Sequence, residues 1–420
     1  MIKVKKTIVI YIVLVLPIIV DLINGINQKY GLGLPSLSAI FRGGVVLISF
    51  MLLLTKPRTQ YVVCIYGLFI LWLVSCVVWA TYSGHFNLFA EVNVFFKVTY
   101  IFFVLIILSR LELDADFALY HVKKSLIWFS FIAALALIFS FVTGLGEATY
   151  GDYAFGTSSF FISSNGLSIS LLLGLCFSWS EVLKEPNIKA VTLALVSFLG
   201  IFMIGTMTAM VGGFLVVLVY LIFFLIFFKP NFLWQKIFKN LLATVGILII
   251  IFSGYQVFQL LSEYSYYVEK VEKILTQGPR ARLINAAERH FVKRNDIHTF
   301  FGEGMYSYAK NYSVMDPAKN FSEEGYAMTE VDHYDIFGGY GLLFGGGILG
   351  AYLIWFLLSI RNWFKRPSME SFTIFYSTLL VIIHALAAGH VILNPLVTGI
   401  FSGIVFLTLI TMRKTKKYVP

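Results

Sequence analysis

Charge is what this chain has least of. Only 13% of its residues are Asp, Glu, Lys or Arg, about half of what a soluble protein carries, which excludes a set of water-soluble domains. Cysteine is nearly absent. Cys64, Cys76 and Cys176 all sit inside apolar runs without metal-ligand spacing, so neither a disulfide framework nor a zinc site is indicated and small packing residues are expected. No GxGxxG or GxxxxGK[ST] pattern occurs, which argues against ATP hydrolysis. What fills the chain instead is apolar: 59% hydrophobic residues, a mean hydropathy of +0.84, and repeated runs near 20 residues. These predict an all-α polytopic membrane protein.

Twelve candidate spans are expected, near 7–24, 36–55, 60–80, 92–109, 124–144, 164–181, 190–206, 208–228, 241–258, 336–360, 372–389 and 393–412. The first follows a short basic start but lacks a small-residue cleavage site after it, and is read as retained. The net charge of +10 bears on orientation, not on nucleic acid. Alternate ends and short connections carry 20 Lys and Arg, whereas the short connections of the other side hold only Lys29. The positive-inside rule then puts both termini in the cytoplasm. Three regions follow: spans 1–9 over 1–258, a large partly helical periplasmic loop over 259–335, and the last three spans with a basic tail over 336–420. The loop's nine basic and twelve acidic residues describe a foldable mixed-charge region.

Chemistry concentrates between Gly278 and Gly341. PRARLINAAERHFVKR reads as a helix opened by Pro279, with Leu283, Ile284, Ala287 and Phe291 on one face. FFGEG is a turn. Thr329 is placed to cap a following helix that runs into the tenth span. Arg280 and Arg282 in the first turn would offer bidentate phosphate ligands beside free backbone N–H groups; the plain alternative is two solvated arginines. Glu330, Asp332, His333 and Asp335 form a polar cluster at the membrane boundary, suited to hold or deprotonate a hydroxyl; alternatively Asp332 caps the helix and the rest are interfacial. GGYGLLFGGG allows close helix packing. Arg42 and Lys97 lie inside apolar runs. They would meet an anionic lipid headgroup, or else snorkel, with Lys97 paired to Glu91. His384 and His390 lack ligand spacing and read as packing or hydrogen-bonding groups. No metal site or cofactor is expected.

The order of these features resembles the Wzy-type O-antigen and capsule repeat-unit polymerases, relatives of the O-antigen ligases. GPRARLINAA is similar to the family's Gly-Arg start of a loop helix, FFGEG to the glycine pair that follows, and EVDHYDIFGGYGLLFG to the acidic segment returning to the membrane. SSNGLS around Asn165 and GTMTAM around Thr206 are weaker echoes. Two departures stand out: GDYAFGTSSFFISSNG has no arginine ahead of Asn165, and Met207 stands where a basic residue is common. Arg42 or Lys97 would take that place. Glu330 occupies the position of the ligases' loop histidine, with His333 three residues on, which favours a polymerase.

The resemblance implies a GT-C-like fold in the bacterial inner membrane and a metal-independent glycosyltransferase. Its substrates would be oligosaccharides on undecaprenyl pyrophosphate, and a chain-length regulator would be a partner. Arg280 would stabilise the leaving pyrophosphate, and Glu330, Asp332 or Asp335 would handle the acceptor hydroxyl. Arg282, His333, Arg42, Lys97 and Asn165 would contact substrate. The alternatives are an O-antigen ligase acting on lipid A core, a lipid-linked oligosaccharide flippase or other transporter, and a non-catalytic assembly protein.

Overall fold

The computed structural model describes residues 5–55, 59–149, 156–185, 187–227, 279–315, 329 and 331–416, with isolated helical positions at 236, 240 and 244. The candidate span near 241–258, Glu330, and most of the loop ahead of Pro279 lie outside the described residues.

Helices dominate. A broken first element, α1 (Lys6–Leu14) and α2 (Leu16–Tyr30), has Pro17 at the start of its second half, where its missing N–H costs no helical hydrogen bond. Next come α3 (Leu37–Thr55), α4 (Thr59–Tyr82), α5 (Leu88–Arg110) and α6 (Ala115–Thr143). A two-stranded antiparallel ribbon, β1 (Glu147–Ala148) with β2 (Thr157–Ser159), precedes α7 (Ser164–Lys184), α8 (Ile188–Met203) and α9 (Met207–Phe227). The segment after Gly278 gives α10 (Pro279–Val292), α11 (Asp296–Phe301) and α12 (Met305–Met315). Finally α13 (Asp332–Tyr340) continues through a π-helical stretch, Gly341–Gly345, into α14 (Gly346–Lys365), followed by α15 (Met369–Ala387) and α16 (Pro395–Lys416).

Ten of the described helical segments are long and apolar enough to cross a membrane. The chain is an all-α polytopic protein. The run expected at 190–206 is helical but only 16 residues long. Among the ten, α5, α7 and α16 are the most deeply buried and form the centre of the bundle. Around them the outer helices present Leu47, Leu54, Val63, Val77 and Ile226 outward, an apolar surface matched to lipid.

Helix starts are capped as the sequence dictates. Asn87, Asp114 and Asn187 each accept a hydrogen bond from a first-turn N–H of α5, α6 and α8, satisfying donors that the helix itself cannot. Toward the end of the bundle remote from α10–α12, Lys123 pairs with Glu181, and Lys184 meets Glu370 at 2.7 Å, joining α6, α7 and α15.

The bundle also has a readable internal polarity. Asp21 binds Arg42, and Asn27 binds the backbone of Leu34, so α2 and α3 are antiparallel. Ser49 donates to the Phe103 carbonyl at 2.9 Å, which sets α3 and α5 side by side. Glu91, in the first turn of α5, reaches the α11–α12 turn. The head of α5 is therefore at the end of the bundle that carries α10–α12.

Candidate functional site

The polar segment folds into a lobe around one carboxylate. In α10 the buried face is Leu283, Ala286, Ala287 and His290. Pro279 stands at the first helical position, as expected, while Ile284 and Phe291 are only partly covered. Glu303, in the turn between α11 and α12, is 2% exposed. It accepts from Arg294 Nε at 2.7 Å and Asn311 Nδ2 at 2.8 Å, and its Oε1 lies 2.8 Å from His290 Nε2. Burial alone would raise its pKa, but His290 and Arg294 outweigh it and bring the carboxyl down to about 2. Arg294 then extends to the carbonyls of Phe337 and Gly338. One guanidinium thus ties the lobe to the last turn of α13.

Two glycines make that junction possible. Gly302 (φ 80°) and Gly341 (φ 62°) sit in the left-handed region and touch backbone to backbone. A Cβ on Gly302 would fall 2.2 Å from the Gly339 carbonyl oxygen, and one on Gly341 would fall 2.2 Å from the Gly302 nitrogen. Between them the Gly304 N–H donates to the Gly339 carbonyl at 2.8 Å. The close packing expected of GGYGLLFGGG is this crossing, with Gly338 and Gly339 also pressed against Tyr308 and Met305.

The membrane helices hold the lobe from beneath. Trp79 Nε1 donates to the Phe301 carbonyl at 2.9 Å, and Glu91 Oε1 accepts the Tyr306 N–H at 2.8 Å. A carboxylate at the N-terminus of α12 satisfies an unpaired donor and complements the helix dipole. Glu91 makes this contact through Oε1, and no Lys97–Glu91 ion pair is present among the described residues.

The expected acids are real neighbours but are turned inward. Asp332 Oδ2 accepts the N–H groups of Val391 (2.9 Å) and Ile392 (3.1 Å) in the connection between α15 and α16. Asp335 Oδ1 accepts the N–H and hydroxyl of Thr329, each at 2.9 Å. Both aspartates are 1% exposed. Thr329 is therefore not the helix cap. The N-cap is Val331, without a side-chain bond, because Asp335 reaches back and takes the threonine. His333 is half-buried against Tyr334, with ring centroids 4.5 Å apart, and its Nδ1 has no hydrogen-bond partner among the described residues.

The connection that Asp332 grips leads to the other motif. His390 adopts a left-handed backbone (φ 58°), a costly conformation for a side chain with a Cβ. Four residues on, the Asn394 amide lies against Gly166, next to the half-buried Asn165 at the start of α7, where Ser163 caps the helix. The two weaker sequence echoes also meet: Ser168 and Thr206 hydroxyls are 2.8 Å apart. Asn165 and Asp332 are thus joined through one short connection.

Of the arginines, Arg282 is exposed on α10. Arg280 is helical, and its side chain lies outside the described atoms, as does Glu330. Arg42 is bound through Nη2 to both oxygens of Asp21, at 2.9 and 2.8 Å, and stands with Lys97 apart from the acids. Sequence reasoning gave no role to Glu303, Arg294, His290 or Trp79, and named Glu91 only as a partner for Lys97. The glycines flanking Glu303 and the acid in the apolar run of α5 were the available signals. A cavity of about 730 Å³, bordered by Leu183, Phe223, Trp363 and Met369, lies toward the opposite end of the bundle from these acids. Among the described residues no cluster of His, Cys, Asp or Glu is arranged to hold a metal ion. No family model matches the chain, and no curated protein matches it.

Proposed function

We propose that this chain polymerises oligosaccharide repeat units carried on undecaprenyl pyrophosphate, at the periplasmic face of the bacterial inner membrane. In this reading the protein has twelve spans and cytoplasmic termini, and α10–α12 belong to a periplasmic loop. One observation carries most of the weight: a polar lobe held by Trp79 at the end of α4 and Glu91 at the head of α5, and tied by Arg294 to α13, which has two aspartates in its first turn. A transporter reading leaves this lobe without an assigned role. An enzyme joining lipid-borne sugars needs polar groups held at this boundary.

The reaction breaks the anomeric C–O bond to pyrophosphate and forms a C–O bond to a hydroxyl of the incoming unit. The acceptor proton passes to a base, and undecaprenyl pyrophosphate departs with its bonding electrons. Arg280 and Arg282, in the first turn of α10, would hold the departing pyrophosphate as negative charge grows on it. The carboxylates of Asp332 and Asp335 already accept two donors each. Their part is to position the connection at His390 and the backbone of Thr329, leaving Glu330 and His333 to take or orient the acceptor proton. Asn165 reaches the same region through Asn394.

The test is complementation of a deletion strain, read as a glycan ladder. Wild type should restore long chains, whereas Arg280→Ala and Arg282→Ala should leave single repeat units at unchanged protein level. Long chains persisting in the deletion strain, or lipid-linked polymer accumulating without reaching lipid A core, would overturn the proposal. The second result would instead mark a ligase.

A further inference from the structure

A second cationic site lies among α2, α3 and α5, inside the apolar part of the bundle. Asp21 is nine residues before the end of α2, Lys97 nine residues after the start of α5, and Arg42 five after the start of α3. At 1.5 Å per residue these positions are roughly 8–13 Å below the helix ends. Side chains in a helix lean toward its N-terminus, so Arg42 and Lys97 both lean toward the end that carries α10–α12.

The charges there do not balance. Among the described residues there, Asp21 is the acidic group, and it is already bound to Arg42, with Ser38 donating to it at 2.5 Å. Lys97 is half-buried and makes no ion pair among the described residues. An unbalanced cation at this depth is costly unless an anion meets it. Donors for such an anion are in place. Both Asp21 oxygens sit on Arg42 Nη2, Nη1 and Nε have no hydrogen-bond partner among the described residues, and a guanidinium offers five N–H groups in a fixed fork. Tyr100, one turn along α5 from Lys97, is 2% exposed, and its hydroxyl has no partner among the described residues. One turn further along α5, the Phe103 carbonyl accepts from Ser49, which sets this stretch of α5 against α3. Beside Arg42, a Cβ on Gly43 or Gly44 would meet nothing within 4 Å, leaving a bare strip of helix for a hydrocarbon chain.

We propose that Lys97, Arg42 and Tyr100 form a binding site for the phosphate of a membrane lipid, with Asp21 orienting the guanidinium. If the chain is a polymerase, as argued above, it handles two pyrophosphate-linked substrates at once. The arginines of α10 would hold one, and this site holds the other.

The experiment measures binding of geranylgeranyl pyrophosphate to the full-length protein in phosphatidylcholine nanodiscs, and in parallel retention of phosphatidylglycerol by the purified protein. Lys97→Met should weaken binding on the order of 10-fold or more, the usual loss for one charge-assisted hydrogen bond, and Lys97→Arg should largely preserve it. Tyr100→Phe removes a single oxygen and gives the same test should Lys97→Met fail to insert. Pyrophosphate binding that depends on these residues supports the site with an isoprenoid ligand. Dependence seen only with phosphatidylglycerol supports a phospholipid site and removes the second-substrate role. Equal binding of both probes by wild type and variants would overturn the site. No glycan enters the measurement, so failure of the polymerase reading leaves its result standing.

Discussion

Glu303 is the residue on which the lobe depends. Its carboxylate is held at about 2 by His290 and Arg294, well below the ordinary glutamate range. A depressed carboxylate stabilises the fold above its unfolded pKa, and the contribution is lost as pH falls through the folded value. The lobe should therefore be fully held at neutral pH and down to about 4.5, then loosen between about 4.5 and 2. The contribution at stake is on the order of 3 kcal/mol. Hydrogen exchange over 279–315, followed against pH, measures it. Glu303→Gln removes the charge but keeps the shape, and should strand Arg294 in a buried site at a cost of roughly 3–5 kcal/mol. Increased proteolysis between α10 and α12 at neutral pH is the expected sign; unchanged protection would mean the pair contributes little.

At the scale of elements, the crossing of Gly302 and Gly341 is the least tolerant point described. Either changed to alanine meets backbone at 2.2 Å in a left-handed conformation, and no side-chain shift relieves it. Gly346→Ala and Gly347→Ala face open space and should be neutral or stabilising by about 0.5–1 kcal/mol. Thermal melting of the four variants separates the two classes. This contrast also marks what the sequence discloses. Apolar runs predict the helices because lipid demands about 20 such residues, and Pro279 and the FFGEG glycines announce a helix start and a turn. The partners are another matter. Nothing local tells that Glu91 caps a helix 215 positions away, that Asp332 folds its carboxylate inward onto the α15–α16 connection, or that Arg42 already has Asp21. Each is decided by packing between distant segments, and a candidate acid list from sequence cannot separate a carboxylate facing substrate from one facing backbone.

For the whole molecule, the proposed sidedness makes a simple demand. Lys310→Cys, on α12, should react with a membrane-impermeant maleimide from the periplasm of intact spheroplasts. Arg361→Cys, near the end of α14, should react only after the membrane is opened. The reverse pattern would invert the chain and remove the periplasmic reading of the lobe. The buried Cys76 and Cys176 contribute little background, and Cys64→Ala removes the exposed native thiol.

The grip of Trp79 and Glu91 on the lobe also sets a schedule for synthesis. Both belong to helices made early, while Phe301 and Tyr306 emerge 222 and 215 residues later. At translation rates of about 5–20 residues per second, the socket waits roughly 10–40 s for its occupant. Throughout that interval a carboxylate in an already inserted helix has no α12 N-terminus to bind. The newborn protein must pass through a state whose finished half is open where the last third will close it.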